Sequence, residues 1–293
     1  MLRNADIAIE IAVAPEALQR AVNRAWPSLS NRKPVNAKRV ISADDQISYI
    51  PGQPAPQIDV PALAQSLNTA VRERLLPSNL EDIGLLQLHA YIKEQSPPIT
   101  VELLKQQGIR RKIMEFTTPI LSDQQGRSHN VQSTAAVLHD QMLLPGQIFE
   151  YSAIVKETEA RYGYKEAPVI SNGKLLPGIG GGICQVSTTL YGAVLRAGLQ
   201  IIERRNHSLP VSYAPLGQDA TFADNYLNFR FRNSTGHFLL IRTVATETSV
   251  TVKLFGDIPA NVTYDIKSNI LKKQFNQRSN MCRTAVCRRG PAD

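Results

Sequence analysis

Cysteine is scarce in this sequence, with Cys184, Cys282 and Cys287 the only three among 293 residues. Cys282 and Cys287 stand as Cys-x4-Cys, a spacing that allows a local disulfide outside the cytoplasm but does not require one. No second Cys/His pair completes a zinc-binding set, so we predict no metal site. Cys184 has no evident partner, which in a secreted protein indicates a free and reactive thiol.

Long apolar runs are also missing. No stretch reaches the roughly 18 apolar residues of a membrane span, and Asp6 and Glu10 interrupt the segment that a signal peptide would need. Taken alone, the sequence therefore predicts a cytoplasmic protein without an integral membrane segment. Nucleotide-binding loops, haem motifs and internal repeats are absent as well, so we predict no cofactor.

Positive charge is concentrated near the C-terminus. The formal net charge is +8, and residues 267–293 carry seven Lys or Arg residues and one acidic residue, which leaves the rest almost neutral. A nucleic-acid-binding protein usually spreads basic charge over a folded face and carries a reading motif, and neither is present. We predict no nucleic-acid partner, and a basic, flexible tail at residues 257–293.

Length and patterning predict an α+β protein with two modest domains. Residues 1–95 combine a helix after Pro15, two short strands around an Asp44-Asp45 turn, a second helix near Asp59 and a strand at residues 83–91, which predicts a small α+β module. Residues 96–127 are predicted to be a connector. It holds a short helix and a strand that enters the second domain, residues 128–256.

The second domain is predicted to be a mixed, largely antiparallel sheet domain with a buried helix after a glycine-rich loop. A helix is predicted at residues 130–143, a strand from residue 149, and a hairpin at residues 169–175 because its tip is Asn172-Gly173. Further strands are predicted at residues 199–205, 227–231, 238–242 and 249–256.

The most informative segment is residues 177–191. Gly180, Gly181 and Gly182 remove every side chain from a turn, Cys184 follows, and apolar residues at helical spacing then predict a helix that ends near Gly198. Unpaired N–H groups and the helix dipole favour a thiolate in a first turn. On these residues alone, a buried structural cysteine is an equally weighted alternative.

This segment, together with residues 203–208 and 213–221, resembles the VanW family of bacterial cell-envelope proteins. The resemblance covers about residues 128–256, including Asn130. Some members of that family act as L,D-transpeptidases, which join peptidoglycan stem peptides through a cysteine acyl-enzyme, so the resemblance implies that Cys184 is the nucleophile. It also implies an extracytoplasmic location and a peptidoglycan-binding-like module at residues 1–95. Because the family usually carries an N-terminal signal or anchor, we expect that the chain is N-terminally truncated.

Cysteine chemistry needs a base, and His207 is the predicted one. A helix that runs away from Cys184 and a strand that returns can bring both side chains to the same end of the domain. Asp219 is predicted to orient the imidazole, as the third group does in cysteine and serine triads.

Other site residues are predicted around these three. The glycine loop, Gly180 to Gly182, is expected to supply the oxyanion hole through bare amides at Gly181, Gly182 or Cys184. Arg205 and Tyr213 are predicted contacts to a substrate carboxylate. Where the family usually has an aspartate shortly before Phe231, this chain has Asn228, which puts activity in doubt if that aspartate serves the site.

Two functions follow from these observations. The first is a transpeptidase, or with water as acceptor a carboxypeptidase, whose partners are peptidoglycan stem peptides. The second is a non-catalytic peptidoglycan-binding or scaffold protein in which Cys184 is structural.

Overall fold

The computed structural model describes residues 12–74, 91–121, 124–171, 173–224, 226–269 and 285–291. The chain divides into two units, residues 1–40 with 48–104 and residues 41–47 with 105–293. Helices and antiparallel strands form both, which confirms the predicted α+β class. Within the described residues, every helix is too short or too polar to cross a bilayer. The predicted strand at residues 83–91, apart from Tyr91, and the side chains of Cys282 and Cys287 fall outside this description.

The N-terminal elements form a small α+β arrangement, as predicted. Pro15 begins the first helix, where its missing N–H is not needed, and Asp59 Oδ1 accepts the Ala62 N–H at 3.2 Å at the start of the third. A small core is formed by Val22, Ile58, Val60 and Leu63. The elements are α1 (Pro15–Ala25), α2 (Pro27–Ser30), β1 (Lys38–Ile41), β2 (Ile47–Ile50), β3 (Ala55–Ile58), α3 (Val60–Arg74), β4 (Ile92–Gln95) and α4 (Val101–Gln106).

The second unit contains two sheets that position the candidate site. Its elements are β5 (Arg111–Pro119), α5 (Gln125–Leu138), β6 (Gln141–Leu143), β7 (Ile148–Glu150), α6 (Tyr151–Tyr162), β8 (Glu166–Ser171), β9 (Lys174–Ile179), α7 (Ile183–Arg196), β10 (Gln200–Glu203), β11 (Arg230–Arg232), β12 (Leu239–Ala245), β13 (Ser249–Gly256), β14 (Val262–Ser268) and β15 (Ala285–Pro291). A four-stranded antiparallel sheet has the order β5-β13-β12-β6, and a three-stranded antiparallel sheet has the order β10-β11-β7.

Helix α7 is the buried helix that the sequence predicts after the glycine loop. Eleven of its 14 residues are buried, and it lies against β5 and β13. Gly192 permits the close approach, because a Cβ there would lie 2.2 Å from the Phe116 ring. The buried hydroxyl groups of Thr118 and Thr189 are hydrogen-bonded to each other, with 2.8 Å between the two Oγ1 atoms. The helix is therefore fixed in position at the centre of the unit.

The three-stranded sheet returns the chain to the start of α7. Its inner face holds stacked aromatic rings, with the Phe231 centroid 5.1 Å from that of Phe149 and 5.8 Å from that of Phe229. Strand β10 follows α7 after Gly198, whose φ of +69° suits a helix end. The chain then continues from β10 to His207 beside the glycine loop.

Two helices differ from the prediction. The helix predicted at residues 130–143 is α5, which begins at Gln125 and ends at Leu138; Asp140, with φ of +60°, then turns the chain into β6. The strand predicted from residue 149 is only β7, and α6 begins at Tyr151. At residues 141–143, pairing of β6 with β12 outweighs the local helical preference. At Tyr151 the pairing of β7 with β11 has ended, and the chain enters α6, where Asn228 Oδ1 accepts the Ser152 N–H.

The short helix and the strand predicted inside the connector, residues 96–127, are confirmed, whereas the predicted tail contains strands that were not predicted. Strand β5, inside residues 96–127, pairs along β13 and is part of the second unit. In the stretch predicted as a flexible tail, β14 pairs with β15, and Ile258 and Ile266 pack against the core. Apolar residues at these positions explain the difference, because burying them favours a fixed position.

Candidate active site

The glycine loop has a fixed shape at the start of α7. Gly182 precedes the helix with φ of +107°, and Gly181 lies against the backbone of β8, where an added Cβ would be 2.6 Å from main-chain atoms. The Asn130 amide donates to Gly181 O at 3.0 Å and to Lys165 O at 2.8 Å, and its Oδ1 accepts the Lys165 N–H at 2.8 Å. These bonds hold loop and hairpin together.

Gly181→Ala should therefore lower the free energy of unfolding by about 2–3 kcal/mol, because the β8 backbone cannot move away from the new methyl group. Urea denaturation measures the change. Gly146→Ala is the control for backbone strain without crowding: unlike Gly181, Gly146 has a positive φ of +77°, but nothing lies within 4 Å of an added Cβ, so a loss of about 1 kcal/mol is expected. Equal losses in the two variants would contradict the close packing of Gly181.

Cys184 lies at the second position of α7 and is half-buried. Its Sγ lies 3.4 Å from both the backbone O and the backbone N of Phe222. Next to it, Ser187 Oγ donates to Ala220 O at 2.6 Å, so the chain from Ala220 to Phe222 runs along the first turns of the helix. The thiol is thus held between a helix start and a neighbouring main-chain segment.

His207 and Asp219 form a buried pair beside the thiol. His207 Nδ1 lies 2.6 Å from Asp219 Oδ2, which also accepts the His207 backbone N–H at 2.6 Å; the two side chains are 7% and 8% exposed. Because Nδ1 is engaged by the carboxylate, Nε2 is the ring nitrogen left for an interaction with the neighbouring Cys184. The structure brings together the three residues that the sequence predicts as nucleophile, base and orienting acid.

The pair carries opposite charges at neutral pH. Burial alone would lower the pKa of His207, but its hydrogen bonds with Asp219 and Cys184 outweigh burial and raise that pKa to about 9. Burial alone would raise the pKa of Asp219, but the hydrogen bonds from the His207 side chain and backbone lower it. The site therefore holds an imidazolium between the Asp219 carboxylate and the side chain of Cys184.

Arg204 supports Asp219 and was not predicted. Its Nε donates to Asp219 O at 2.6 Å, and its Nη2 donates to Gly217 O at 2.7 Å and lies 3.3 Å from Asp219 Oδ1. The guanidinium also lies over the Tyr191 ring of α7, 5.2 Å from its centroid. The side chain thereby ties the loop that carries Asp219 to the helix that carries Cys184.

Comparison with protein families places a known domain over this site. Residues 126–255 match the family described as VanW like protein. This region is a VanW-like domain. The match confirms the resemblance found in the sequence.

Two curated relatives of this VanW-like domain are the uncharacterized protein YoaR of Bacillus subtilis and the vancomycin B-type resistance protein VanW of Enterococcus faecalis. YoaR is 37% identical over 159 residues, which are 54% of this chain and 52% of the relative. VanW of Enterococcus faecalis is 27% identical over 154 residues, which are 51% of this chain and 56% of the relative. The chain therefore spans about half the length of the curated relatives that it matches. No solved structure matches it.

Some predicted residues of the VanW-like domain do not join the site as expected. Arg205 is exposed, and its backbone carbonyl accepts the Thr221 N–H at 2.8 Å. The Gly180 amide donates to Lys165 O at 3.2 Å, so it does not point to an oxyanion. Gly181 and Gly182 are buried, and Gly182 and Cys184 stand where helix amides lack carbonyl partners within the helix.

Among the described residues, no three His, Cys, Asp or Glu side chains could hold a metal ion.

Asn228 of the VanW-like domain has a structural role. Its Oδ1 accepts the N–H groups of Ser152 at 3.0 Å and Phe229 at 2.9 Å, and its Nδ2 donates to Ser152 Oγ at 3.0 Å. It therefore satisfies an amide at the start of α6, a position where an aspartate would serve as well. The charged partner of His207 is Asp219, so asparagine at position 228 leaves the His207–Asp219 pair complete.

Tyr213, which the sequence predicts as a contact to a substrate carboxylate, lies near Cys184. Burial, followed by the neighbouring Cys184, raises its pKa. Beside it lies Arg127 of α5, which the sequence did not indicate: Nη2 of Arg127 donates to Gln185 Oε1 at 2.6 Å. Arg127 comes from a helix 58 residues before Gln185, and only the folded chain brings it to the site.

Proposed function

We propose that this chain is a cell-envelope enzyme that transfers acyl groups through Cys184, a cysteine L,D-transpeptidase acting on peptidoglycan stem peptides. The observation that carries the proposal is the arrangement of Cys184, His207 and buried Asp219 at the start of α7. The VanW-like domain supports the envelope assignment, since one curated relative is named as a vancomycin resistance protein. The resemblance of residues 128–256 to family members that are L,D-transpeptidases supports the choice of stem peptides as substrates.

The first half-reaction forms a thioester. The Cys184 thiolate attacks the carbonyl of the peptide bond before the terminal D-residue of a tetrapeptide stem, and the amides of Gly182 and Cys184 stabilise the oxyanion. As the carbon–sulfur bond forms and the carbon–nitrogen bond breaks, the imidazolium of His207 gives its Nε2 proton to the leaving amine. The D-residue leaves with a neutral or protonated amino group and its carboxylate intact.

The second half-reaction consumes the thioester. An amine of a neighbouring stem attacks the acyl carbon, neutral His207 takes the amine's proton, and the thiolate of Cys184 leaves. Water in place of the amine gives a carboxypeptidase. Asp219 holds the imidazole in one orientation through both steps and carries the charge that balances the imidazolium.

We also propose that the chain works outside the cytoplasm, with residues 1–95 as a peptidoglycan-binding-like module. This assignment rests on the family resemblance and on the separate α+β unit that these residues help to form. Fold alone does not fix a ligand, so binding of purified wall polymer is the property to measure for this unit.

The test of the enzyme is a tetrapeptide-stem muropeptide incubated with the full chain. Wild type should release the terminal D-residue and form cross-linked product, and Cys184→Ala should form neither while keeping the wild-type urea midpoint. Mass spectrometry of the products measures both. If wild type and Cys184→Ala bind peptidoglycan equally and neither releases the D-residue, Cys184 is structural and the chain is a binding or scaffold protein, a reading that the contacts of Sγ with Phe222 would then explain.

A further inference from the structure

Arg127 lies close to the nucleophile on two sides. Its Cγ would be 3.1 Å from a Cβ at Gly182, which precedes Cys184 by two residues, and its Nη2 lies 2.6 Å from Oε1 of Gln185, the residue after the nucleophile. The side chain therefore spans the first turn of α7. It reaches this position from the first turn of α5.

The guanidinium is held in place by neutral groups. Gln185 is 1% exposed, and its Nε2 donates to Thr118 Oγ1 at 3.1 Å and to Pro119 O at 2.8 Å, so its Oε1 is fixed toward Arg127. On another side, the Arg127 guanidinium carbon lies 5.8 Å from the centroid of the Tyr213 ring. An amide oxygen and an aromatic ring orient the cation without neutralising its charge.

Arg127 differs in this respect from the other cations near the site. Asp219 balances both His207 and Arg204. Among the residues that the structure describes, no carboxylate lies within ion-pair distance of Arg127. One guanidinium N–H is used by Gln185, and a guanidinium carries five, so donors remain for a ligand.

We infer that Arg127 and Tyr213 form a carboxylate-binding subsite beside Cys184, which receives the C-terminal carboxylate of the D-residue that leaves in the first half-reaction. A planar guanidinium binds a carboxylate through two parallel hydrogen bonds, which fixes the acyl donor relative to the thiolate. The identity of the leaving residue rests on the proposed function. The presence of an anion subsite rests only on the position of Arg127.

Two alkylating reagents of similar size test the subsite without any peptidoglycan substrate. Iodoacetate carries a carboxylate and iodoacetamide is its neutral amide, and the ratio of their second-order rates at Cys184 reports charge selectivity next to the thiol. Arg127→Gln should lower the iodoacetate-to-iodoacetamide ratio by about tenfold or more, the effect of losing a hydrogen bond to a charged group. Arg127→Lys should retain part of the ratio.

The matched control is Arg161→Gln, which removes the same charge from an arginine that is 59% exposed and paired with Glu157 on α6. Its ratio should equal that of wild type. If Arg127→Gln slows both reagents equally, Arg127 only supports the packing of α5 against α7, and the inference is overturned. A fall in the ratio in Arg205→Gln instead of Arg127→Gln would also overturn it, because the carboxylate would then belong to Arg205.

A binding measurement covers the case in which the thiol does not react. N-acetyl-D-alanine should raise the thermal midpoint of wild type more than its neutral amide does, and Arg127→Gln should abolish the difference. If this selectivity is present while Cys184 is inert, the subsite stands and the proposed enzyme fails. If Cys184 reacts readily but neither assay shows selectivity for the carboxylate, the enzyme stands and the subsite fails.

Discussion

Replacing His207 with glutamine is expected to lower the rate of D-residue release by about 10²- to 10⁴-fold, the usual effect of losing a general acid and base. In the proposed mechanism, the imidazolium of His207 supplies the proton that the leaving amine needs. Glutamine can still accept or donate a hydrogen bond, but it cannot transfer a proton. Release of the D-residue from a tetrapeptide-stem muropeptide, quantified by mass spectrometry, measures the loss.

His129→Gln is the matched control for His207→Gln. His129 lies on α5, with its Nε2 3.0 Å from Gly163 O, and the proposed mechanism does not use it. Its variant should keep the wild-type rate. A His207→Gln chain as active as wild type would exclude His207 as the acid and base.

Asp219→Asn is expected to lower the free energy of unfolding by about 3–5 kcal/mol, because it breaks a buried ion pair and leaves its partners uncompensated. The carboxylate accepts hydrogen bonds from the backbone N–H and from ring Nδ1 of His207, and it lies beside Arg204. Activity should also fall, because the imidazole loses its orientation and the support for its charge. Urea denaturation at pH 6 measures the stability change.

The pH dependence of stability gives a second signature of this pair. The pKa of His207 is raised from 6.5 to about 9, so its contribution to stability is complete below pH 6.5 and is lost as the pH rises through 9. The pKa of Asp219 is lowered from 3.8, so its contribution is complete above that value and is lost as the pH falls through the folded-state pKa. The wild-type free energy of unfolding should thus decline from pH 6.5 to pH 9 and again in acid.

In Asp219→Asn both declines should be smaller. Asp140→Asn serves as the control, because Asp140 is 58% exposed and pairs with Arg242 at the surface, where an ion pair contributes about 1 kcal/mol or less. Its pH profile should follow that of wild type. An Asp219→Asn profile that follows the wild-type curve at both ends would contradict the assigned charges.

The centre of the site could be predicted from local sequence. Gly182 must adopt a positive φ, Cys184 must come next to a helix start, and apolar spacing predicts the length of α7; each of these follows from a few neighbouring residues. His207 followed from the length of one helix and one returning strand. Asp219 was harder to predict, because an aspartate in a loop commonly closes a turn.

The parts that local sequence could not predict depend on distant partners. No side-chain hydrogen bond from Glu150 caps the start of α6. The Ser152 N–H in the first turn instead donates to Oδ1 of Asn228, 76 residues away in sequence. Arg127 reaches the surroundings of Cys184 only because α5 packs beside α7. Local sequence patterns do not reveal contacts between distant residues, so neither α6 nor the role of Arg127 was predicted.

The central claim is that Cys184 is a reactive nucleophile that depends on His207. It is tested most directly by intact-mass labelling of the folded chain with iodoacetamide at about pH 6, where an ordinary cysteine thiol is barely ionised. Wild type should gain one label at Cys184 quickly, His207→Ala should label slowly, and Cys184→Ala should not label at that position. A Cys184 that stays unlabelled until the chain is unfolded would contradict the account and identify a buried structural thiol.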